Sequence, residues 1–376
     1  MTCKYLGQCG GCLSVSLESK VAQAKDLLNL SEYEVFKGYD FGFRARAEIG
    51  IYHLNNKIHF AMRRLNQVAN KESRFVLIEN CPNLLPSLQQ TLSILRDLLN
   101  SPEFYHLTRR LFSLEILSSQ TNTILLTLIY HQNLAESWKK EVKSLREKLQ
   151  LTLNFEIHLI GRSKGVKLVV GKDYVIESLK ILNKTYRYQY FEGAFTQPNP
   201  SINIQMITWI LQNLKNSNHQ DLLEMYCGCG NFTIPLAQKF RQVLATEISK
   251  TSIKAAQFAT SMNGITNIHF VRLSGVECMQ ALNRMRKFYR LREINLDFFD
   301  FCAALIDPPR AGLGIEVCHF LQHFQTIIYI SCNPISLKSD LEILTQTHTI
   351  LHCAFFDQFP HTQHLESGVI LKKVEV

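Results

Sequence analysis

One cysteine of this chain stands where its thiol could react with a substrate. Residues 327–330 are apolar or aromatic and predict a short buried strand, and the turn SCNP, which contains Cys332, follows directly. A thiolate whose sulfur is exposed at such a strand end is a strong nucleophile. A cysteine after an apolar strand is more often a small core residue, so the residues alone leave both interpretations open.

A second group of residues could bind a nucleoside cofactor. The predicted strand DLLEMY leads into the loop CGCGNF, and the next strand, VLATEI, has Glu247 as its next-to-last residue, 19 positions after Gly228. Glycines allow close approach of the backbone, and a carboxylate here can accept both ribose hydroxyls. The loop lacks the third glycine of dinucleotide sites and the GK[ST] of triphosphate sites. S-adenosylmethionine therefore fits better than NAD or a nucleoside triphosphate, and an ordinary tight turn is the alternative.

Another carboxylate follows the predicted strand CAALI. Asp307 is followed by two prolines and Arg310. The proline rings stiffen this turn, and the carboxyl ends of strands are where ligands of open α/β sheets bind. The segment is a candidate part of the same site, although a turn with a capping aspartate would read the same.

Four cysteines in the first 81 residues could bind a metal. Cys3, Cys9 and Cys12 have the spacing C-x5-C-x2-C, and Cys81 follows 69 residues after Cys12. The chain has 11 cysteines and no export signal, which disfavours a disulfide framework. Thiolate ligands suit an iron–sulfur cluster or zinc, and the short loop GQCGGC allows the backbone to fold tightly around a cluster; unliganded thiols are the remaining alternative.

The periodicity of the chain changes near its middle. Residues 17–30 and 134–149 have helical periodicity, whereas ARAEIGIYHL, KIHFAMR, SLEILSS, NTILLTLIY, NFEIHLIGR and GVKLVVGK alternate as strands do. From about residue 186 strands alternate with helices, which indicates a parallel sheet covered on both faces. We predict an α+β strand-rich domain over residues 1–185 and an α/β domain over residues 186–376.

Composition favours a globular, nucleic-acid-binding protein. The 376 residues are 46% hydrophobic and carry a formal net charge of +9, which attracts polyanions. No run of 18 apolar residues and no signal peptide is apparent, so we expect a cytoplasmic protein without a membrane partner. We also expect a monomer.

Five segments resemble the RNA uracil-5-methyltransferases when they are taken in chain order. They are EMYCGCGNF, ATEIS, LIDPPRAGL, YISCNP and FDQFPHTQHLESGVIL, and together they span nearly all of the C-terminal half. FTQPNPSINIQM, HLIGR and TLIYHQN extend the resemblance to the tRNA (uracil-5-)-methyltransferase family, which methylates uridine 54 of the T loop. The resemblance implies a Rossmann-like S-adenosylmethionine-dependent methyltransferase domain behind an RNA-binding domain.

The resemblance also assigns roles to residues. It implies that Cys332 adds to C6 of uracil, which makes C5 nucleophilic toward the methyl group, and that a base then removes the C5 proton. Asp357, His361, His364 and Glu366 compete as that base, and the resemblance selects Glu366. It places cofactor contacts on Gln197, Tyr226, Asn231, Glu247 and Asp307. Cys229 departs from the family's CGNGNF loop, which puts only that side chain's role in doubt.

The N-terminal cysteines resemble a different branch. Cys3, Cys9, Cys12 and Cys81, with proline after the last, are similar to the [4Fe-4S] motif of the 23S rRNA uracil-5-methyltransferases. The resemblance implies a structural [4Fe-4S] cluster and makes 23S rRNA the rival substrate. We favour tRNA because no barrel-like RNA-binding domain precedes Cys3 and because QPN, ATEIS and FDQFP follow the tRNA type. A noncatalytic RNA-binding or RNA-folding protein is the alternative from another class.

Two basic segments are candidates for RNA contact. Arg44 and Arg46 are predicted to share a strand face with Glu48, and Arg63, Arg64 and Arg74 follow. The second segment, RMRKFYRLR, covers residues 284–292 and interleaves basic with aromatic side chains. Such segments neutralise phosphates and stack on bases, or are solvated surfaces.

Overall fold

Two large sheets organise the chain. The computed structural model describes residues 3–65 and 74–374. In these ranges the strands are β1 (Glu34–Phe36), β2 (Arg46–Leu54), β3 (Lys57–Arg63), β4 (Phe75–Ile78), β5 (Leu111–Ser118), β6 (Thr123–Tyr130), β7 (Glu156–Ser163), β8 (Val166–Val170), β9 (Tyr174–Ile181), β10 (Lys184–Phe191), β11 (Asp221–Met225), β12 (Val243–Thr246), β13 (Ile268–Val271), β14 (Phe301–Ile306), β15 (Thr326–Ser331), β16 (His348–Phe356) and β17 (Glu366–Lys373).

The helices cover the sheets. They are α1 (Leu17–Leu28), α2 (Pro86–Leu99), α3 (Ser137–Leu153), α4 (Pro200–Asn213), α5 (Thr233–Leu236), α6 (Lys250–Met262), α7 (Gly275–Leu282), α8 (Ile315–Leu321) and α9 (Pro334–Leu344). The predicted helices over 17–30 and 134–149 correspond to α1 and α3, whereas α2 was not predicted. No helix in the described ranges is long and apolar enough to cross a membrane.

The first sheet has seven strands in the order β4-β3-β2-β5-β6-β7-β8. All of its pairs are antiparallel except β6 with β7, which are parallel because α3 lies between them in the chain. Apolar faces of α2 and α3 pack on the sheet, with Leu95, Val142 and Leu145 fully buried. The hairpin of β9 and β10 lies against α4 in the core of the second half.

The second sheet has eight strands in the order β1-β16-β17-β15-β14-β11-β12-β13. β15, β14, β11, β12 and β13 are parallel, and β17 is antiparallel to both of its neighbours. Successive residues of the central strands are buried on opposite faces, Ile328 with α4 and Tyr329 with α8 and α9. Both faces are therefore covered, as the continuous apolar strands require.

Two elements from the start of the chain belong to the second sheet. β1 pairs in parallel with β16, and α1 packs against α9. β10 runs across residues 185 and 186, where the sequence analysis places the domain boundary. The division at 185 and 186 stays a prediction, and the fold adds that residues 17–36 pack with the C-terminal half.

Gly368 offers a test of how tightly the second sheet is packed. A Cβ atom built on Gly368 of β17 would lie 2.7 Å from Cζ3 of Trp209 and 3.1 Å from Cε2 of Phe356. We expect Gly368→Ala to lower the free energy of unfolding by roughly 1–3 kcal/mol because these buried rings must move. Urea unfolding measures the change. Leu351→Ala, at a position 55% exposed on β16, is the control and should change it by less than about 0.5 kcal/mol.

Candidate active site

A cavity of about 710 Å³ opens at the carboxyl ends of the parallel strands of the second sheet. This is the edge at which open α/β sheets bind ligands. Every residue predicted to contact the cofactor or to act in catalysis lines this one cavity: Gln197, Tyr226, Asn231, Glu247, Asp307, Cys332 and Glu366.

The glycine loop takes a backbone conformation that favours glycine. Tyr226, Gly228 and Gly230 have φ angles of 65°, 54° and 84°. The carboxylate of Glu247 accepts the N–H of Gly228 at 3.1 Å and that of Ser249 at 2.7 Å. Glu247 thus fixes the loop that follows β11 while remaining part of the cavity wall.

Asn231 is held by a partner that the sequence did not reveal. Its side-chain amide and that of Asn203 on α4 exchange two hydrogen bonds of 2.8 Å. The hydroxyl of Tyr188 donates to the Asn231 carbonyl oxygen at 3.1 Å. The amide of Asn231 is therefore used inside the protein, and the residue shapes the cavity by fixing its backbone.

The other cysteines of the C-terminal half differ from Cys332. Cys332 is half-buried, whereas the remaining six are buried: Cys227, Cys229, Cys278, Cys302, Cys318 and Cys353. Burial raises the pKa of Cys229 to about 12, which makes it a poor nucleophile. The interpretation of these six as core residues agrees with their burial.

The turn that carries Cys332 is fixed by its neighbours. Asn333 is the N-cap of α9, where its side-chain oxygen accepts the N–H of Ile335 at 3.1 Å. Its amide nitrogen donates to the carbonyl oxygen of Arg310 at 2.9 Å. Ser331 exchanges hydrogen bonds with the backbone of Asn333. The turn therefore ends β15, begins α9 and holds the loop after Asp307 beside Cys332.

Strand register brings Cys332 and Glu366 together. Ser331, at the end of β15, pairs with Ser367 near the start of the antiparallel strand β17. The next residue along β15 is Cys332, and the preceding residue along β17 is Glu366, so the two side-by-side strands present them at the same edge. Glu366 is only 5% exposed.

Burial sets the electrostatics of this edge. It raises the pKa of Glu366 to about 8, with a smaller contribution from Asp307, and it raises the pKa of Asp307 to about 7. Burial, together with the charges of Glu366 and Asp307, also raises the pKa of Cys332, while Arg310 opposes the shift. The sequence predicts reaction through a thiolate, whereas the raised pKa of Cys332 favours a thiol that must lose its proton during reaction.

Of the four candidate bases, only Glu366 lines the cavity. Asp357 is buried in an ion pair with Lys20. A ring nitrogen of His361 bonds the carbonyl oxygen of Asp40 at 2.8 Å. His364 is exposed, and its Nε2 lies 3.4 Å from the Arg310 guanidinium.

Arg310 is a functional candidate that the sequence analysis left without a role. Its charge lowers the pKa of both Cys332 and Glu366. A functional role for Arg310 could have been predicted, because Arg310 follows Asp307 and the two prolines in the same stiff turn. Asn203 had no comparable signal, since it is one of several polar residues on α4.

The N-terminal cysteines share a second, smaller cavity. Cys3, Cys9, Cys12 and Cys81 all line a space of about 150 Å³. The N–H of Gly11 donates to the sulfur of Cys9 at 3.4 Å. Within residues 3–65 and 74–374, no group of three or more His, Cys, Asp or Glu side chains is arranged to hold a single metal ion.

The predicted basic segments differ in exposure. Arg44 lines the cavity of the N-terminal cysteines, and Arg46 donates to the carbonyl oxygen of Ala194 at 2.9 Å, so neither is a free surface cation. In the second segment Arg286 lies over Phe288 and Arg292 over Tyr289, which is 78% exposed. The second segment thus presents an exposed aromatic ring beside its basic side chains.

Comparison with solved structures shows the fold. The chain matches the crystal structure of Pyrococcus abyssi tRNA (uracil-54, C5)-methyltransferase in complex with S-adenosyl-L-homocysteine with a TM-score of 0.68 and 21% identity, over 94% of this chain and 82% of that chain. The chain therefore has a Rossmann-like α/β fold with a separate strand-rich N-terminal region, and its cavity lies at the strand tips.

Comparison of sequences shows the family. Proteins named tRNA/tmRNA (uracil-C(5))-methyltransferase from Wolinella succinogenes and Aliarcobacter butzleri are 44% and 42% identical to this chain, cover 99% and 100% of it, and are themselves covered over 100% of their length. The family tRNA (Uracil-5-)-methyltransferase matches residues 14–374, and the chain belongs to it. The predictions of the fold class, of the family and of an enzyme are confirmed.

The raised pKa of Glu366 predicts a pH-dependent stability. The folded-state pKa of about 8 lies above the ordinary value of 4.5, so the stability gained from the bound proton is present below 4.5 and lost as pH rises through 8. Glu366→Gln removes this loss. We expect its free energy of unfolding to exceed that of the wild type by an amount that grows to a few kcal/mol between about pH 5 and pH 8. Urea unfolding across that range measures it, and a pH-independent difference would contradict the assignment.

Proposed function

We propose that this protein uses S-adenosylmethionine to methylate C5 of uridine 54 in the T loop of tRNA. The observation that carries the proposal is the meeting of Cys332 and Glu366 at one edge of the sheet, inside the cavity formed by the glycine loop, Glu247 and Asp307. Its relatives' names specify tRNA and tmRNA uracil C5, and the name of the Pyrococcus abyssi enzyme specifies position 54.

The cavity fits S-adenosylmethionine. The positive-φ glycines of the loop after β11 let a ligand approach the backbone, and the Glu247 carboxylate is placed to accept ribose hydroxyls. Tyr226 and Gln197 line the same cavity. A Cβ atom at Gly275 would collide with the Tyr226 hydroxyl, so this glycine allows Tyr226 its position. When bound, the cofactor supplies an electrophilic methyl group.

Cys332 and Glu366 divide the chemistry between them. The sulfur of Cys332 forms a bond to C6 of uracil, and the electron pair of the C5–C6 double bond becomes available at C5 for methyl transfer. Glu366 then takes the proton from C5, and the C6–S bond breaks as the double bond returns. Both residues lie at the same edge of the sheet, so they can act on neighbouring ring atoms of one base.

The carboxyl groups of Asp307 and Glu366 accept protons during the proposed reaction. Cys332 must lose its thiol proton as the sulfur adds, and we assign that proton to the carboxylate of Asp307, whose charge raises the pKa of Cys332. Burial raises the pKa of the Asp307 and Glu366 carboxyl groups to about 7 and about 8, and the reactive form of the site has both ionised, one for the thiol proton and one for the C5 proton. Glu366 acts as the base in its ionised form, since its carboxylate must accept the C5 proton.

Residues 1–185 are proposed to bind RNA, and residues 186–376 to transfer the methyl group. The backbone carbonyl of Arg272 accepts a hydrogen bond from Arg290, and the next residue, Leu273, lines the cavity. The second basic segment, residues 284–292, is therefore anchored beside the active site through Arg290, and we propose that it meets phosphates of the bound RNA. We propose that the protein acts in the cytoplasm as a monomer.

A methylation assay tests the substrate and the mechanism together. Labelled S-adenosylmethionine is incubated with tRNA and 23S rRNA transcripts, and the modified uridine is mapped. We expect label at C5 of uridine 54 of tRNA, no label with Cys332→Ala, and a methylated covalent adduct with Glu366→Gln because the C5 proton is retained. Cys353→Ala is the control, since Cys353 is buried away from the cavity.

The same assay separates the alternatives. Label confined to 23S rRNA would support the rRNA enzyme. RNA binding without methylation would support the noncatalytic RNA-folding protein. Methylation by Cys332→Ala at the wild-type rate would contradict the mechanism.

We also propose that Cys3, Cys9, Cys12 and Cys81 hold a [4Fe-4S] cluster. Their common cavity, together with the N–H of Gly11 on the Cys9 sulfur and the Asn83 amide 3.0 Å from the Cys12 sulfur, supports it. Burial and the neighbouring thiols raise the pKa of Cys12 to about 11. A positively charged metal group would stabilise the thiolate forms that this environment disfavours. The proposed role is structural, because methyl transfer moves no electrons.

Metal analysis of protein purified without oxygen tests the cluster. We expect about four iron and four acid-labile sulfide per chain, the content of a [4Fe-4S] cluster, and their loss in Cys81→Ala. Cys278→Ala, at a buried cysteine of the second half, should keep both. Zinc in place of iron, or no metal in protein prepared this way, would contradict the proposal.

A further inference from the structure

A lysine from the start of the chain holds the loop that carries Glu366. Lys20 lies on α1, and its ammonium group donates to Oδ1 of Asp357 at 2.5 Å and to the carbonyl oxygens of Phe359 at 3.2 Å and His364 at 3.1 Å. The side chains of Lys20 and Asp357 are 2% and 6% exposed. All three protons of a buried ammonium group are thus directed at one loop.

The loop has further anchors, and they too come from the first 40 residues. The N–H of Leu13 donates to the carbonyl oxygen of His361 at 2.6 Å, and the N–H of Asp357 donates to that of Phe36 at 2.9 Å. His361 has a φ of 61° and also contacts Asp40 through its ring. Residues 357–365 therefore rest on α1, β1 and the segments beside them.

The contacts of Lys20 orient the loop more than they raise the free energy of unfolding. Removing an ammonium and a carboxylate from water costs about as much as their attraction returns, so a buried ion pair is a weak stabiliser. An apolar side chain at position 20 could fill the same space. It could not fix the carbonyl oxygens of Phe359 and His364, because only a donor orients them.

We propose that Lys20 is a positioning residue for the base of the methylation reaction. One residue, Leu365, separates His364 from Glu366, so the Lys20 contact with the His364 carbonyl sets where β17 begins and where the Glu366 carboxyl points. The proposal rests on the proposed role of Glu366 as the base. Proton removal from C5 requires correct geometry to within about 1 Å, and a small shift of the loop slows it strongly.

The test replaces Lys20 with a side chain of similar length that cannot donate. With Lys20→Met we expect kcat for tRNA methylation to fall roughly 10- to 100-fold, with KM for tRNA and for S-adenosylmethionine unchanged within about twofold. A methylated covalent adduct should accumulate, because addition by Cys332 and methyl transfer precede the slowed step. Lys25→Met, also on α1, is the matched control, since within the described ranges its side chain has no hydrogen bond or ion pair.

RNA containing 5-fluorouridine isolates the earlier steps. Fluorine at C5 cannot leave as a proton does, so addition and methyl transfer trap the RNA on Cys332 without needing the base. We expect Lys20→Met to trap this RNA at a rate within about twofold of the wild type while its turnover on ordinary tRNA is reduced.

A double variant separates positioning from folding. Lys20→Met leaves the buried Asp357 without its partner and is expected to lower the thermal midpoint, whereas Lys20→Met with Asp357→Asn removes that unpaired charge. The double variant should recover the midpoint but not kcat, since the carbonyl oxygens of Phe359 and His364 still lack their donor.

Three results would overturn the proposal: wild-type kcat in Lys20→Met, recovery of kcat together with the midpoint in the double variant, or loss of trapping as large as the loss of turnover. Failure of the proposed function has a different signature. In that case the wild-type protein itself would neither trap 5-fluorouridine RNA nor methylate tRNA.

Discussion

The candidate site depends on one antiparallel strand inside an otherwise parallel array. β17 lies between β15 and β16 and runs opposite to both. An antiparallel neighbour brings its first residue to the edge where the parallel strands end. Glu366 thereby reaches Cys332, and a parallel strand in the same place would begin at the far edge. A slip of one residue would turn every side chain of β17 to the other face of the sheet. The packing of Gly368 against Trp209 helps to fix the register of β17 and so the position of Glu366.

The same placement has an electrostatic consequence. Removing water from Cys332, Glu366 and Asp307 raises the pKa of each, so the resting site favours neutral groups. Arg310 counteracts this effect on Cys332 and Glu366 without abolishing it. A site of this kind keeps its nucleophile protonated until reaction begins. That state protects a half-buried cysteine from the oxidation and exchange reactions that thiolates undergo.

The features that the sequence could predict depend on residues close together in the chain, or on the order of motifs along it. The strand ends after which Glu247, Asp307 and Cys332 stand were visible as apolar runs followed by turns, and the structure brings these residues to one cavity. Their partners were not visible. The paired amides of Asn203 and Asn231 belong to different elements. An amphipathic pattern predicts which face of a helix is buried, but it does not predict which polar group of another element contacts that face.

The N-terminal arginines show the same limit. The period of a strand placed Arg44 and Arg46 on one surface with Glu48, yet β2 begins only at Arg46. Arg44 precedes the strand, so alternation does not govern its direction, and its side chain lies at the cysteine cavity. The pattern of charge agrees with side-chain exposure where the chain stays at the surface, as in residues 284–292.

The contacts between Lys20 and the loop before β17 join residues more than 300 positions apart. Closing so long a loop costs conformational entropy, which burial of α1 against α9 and pairing of β1 with β16 must offset. The partners of these N-terminal elements are a strand and a helix of the C-terminal half. The base and its support are thus assembled from opposite ends of the chain, and the site reaches its final geometry only after both have folded together.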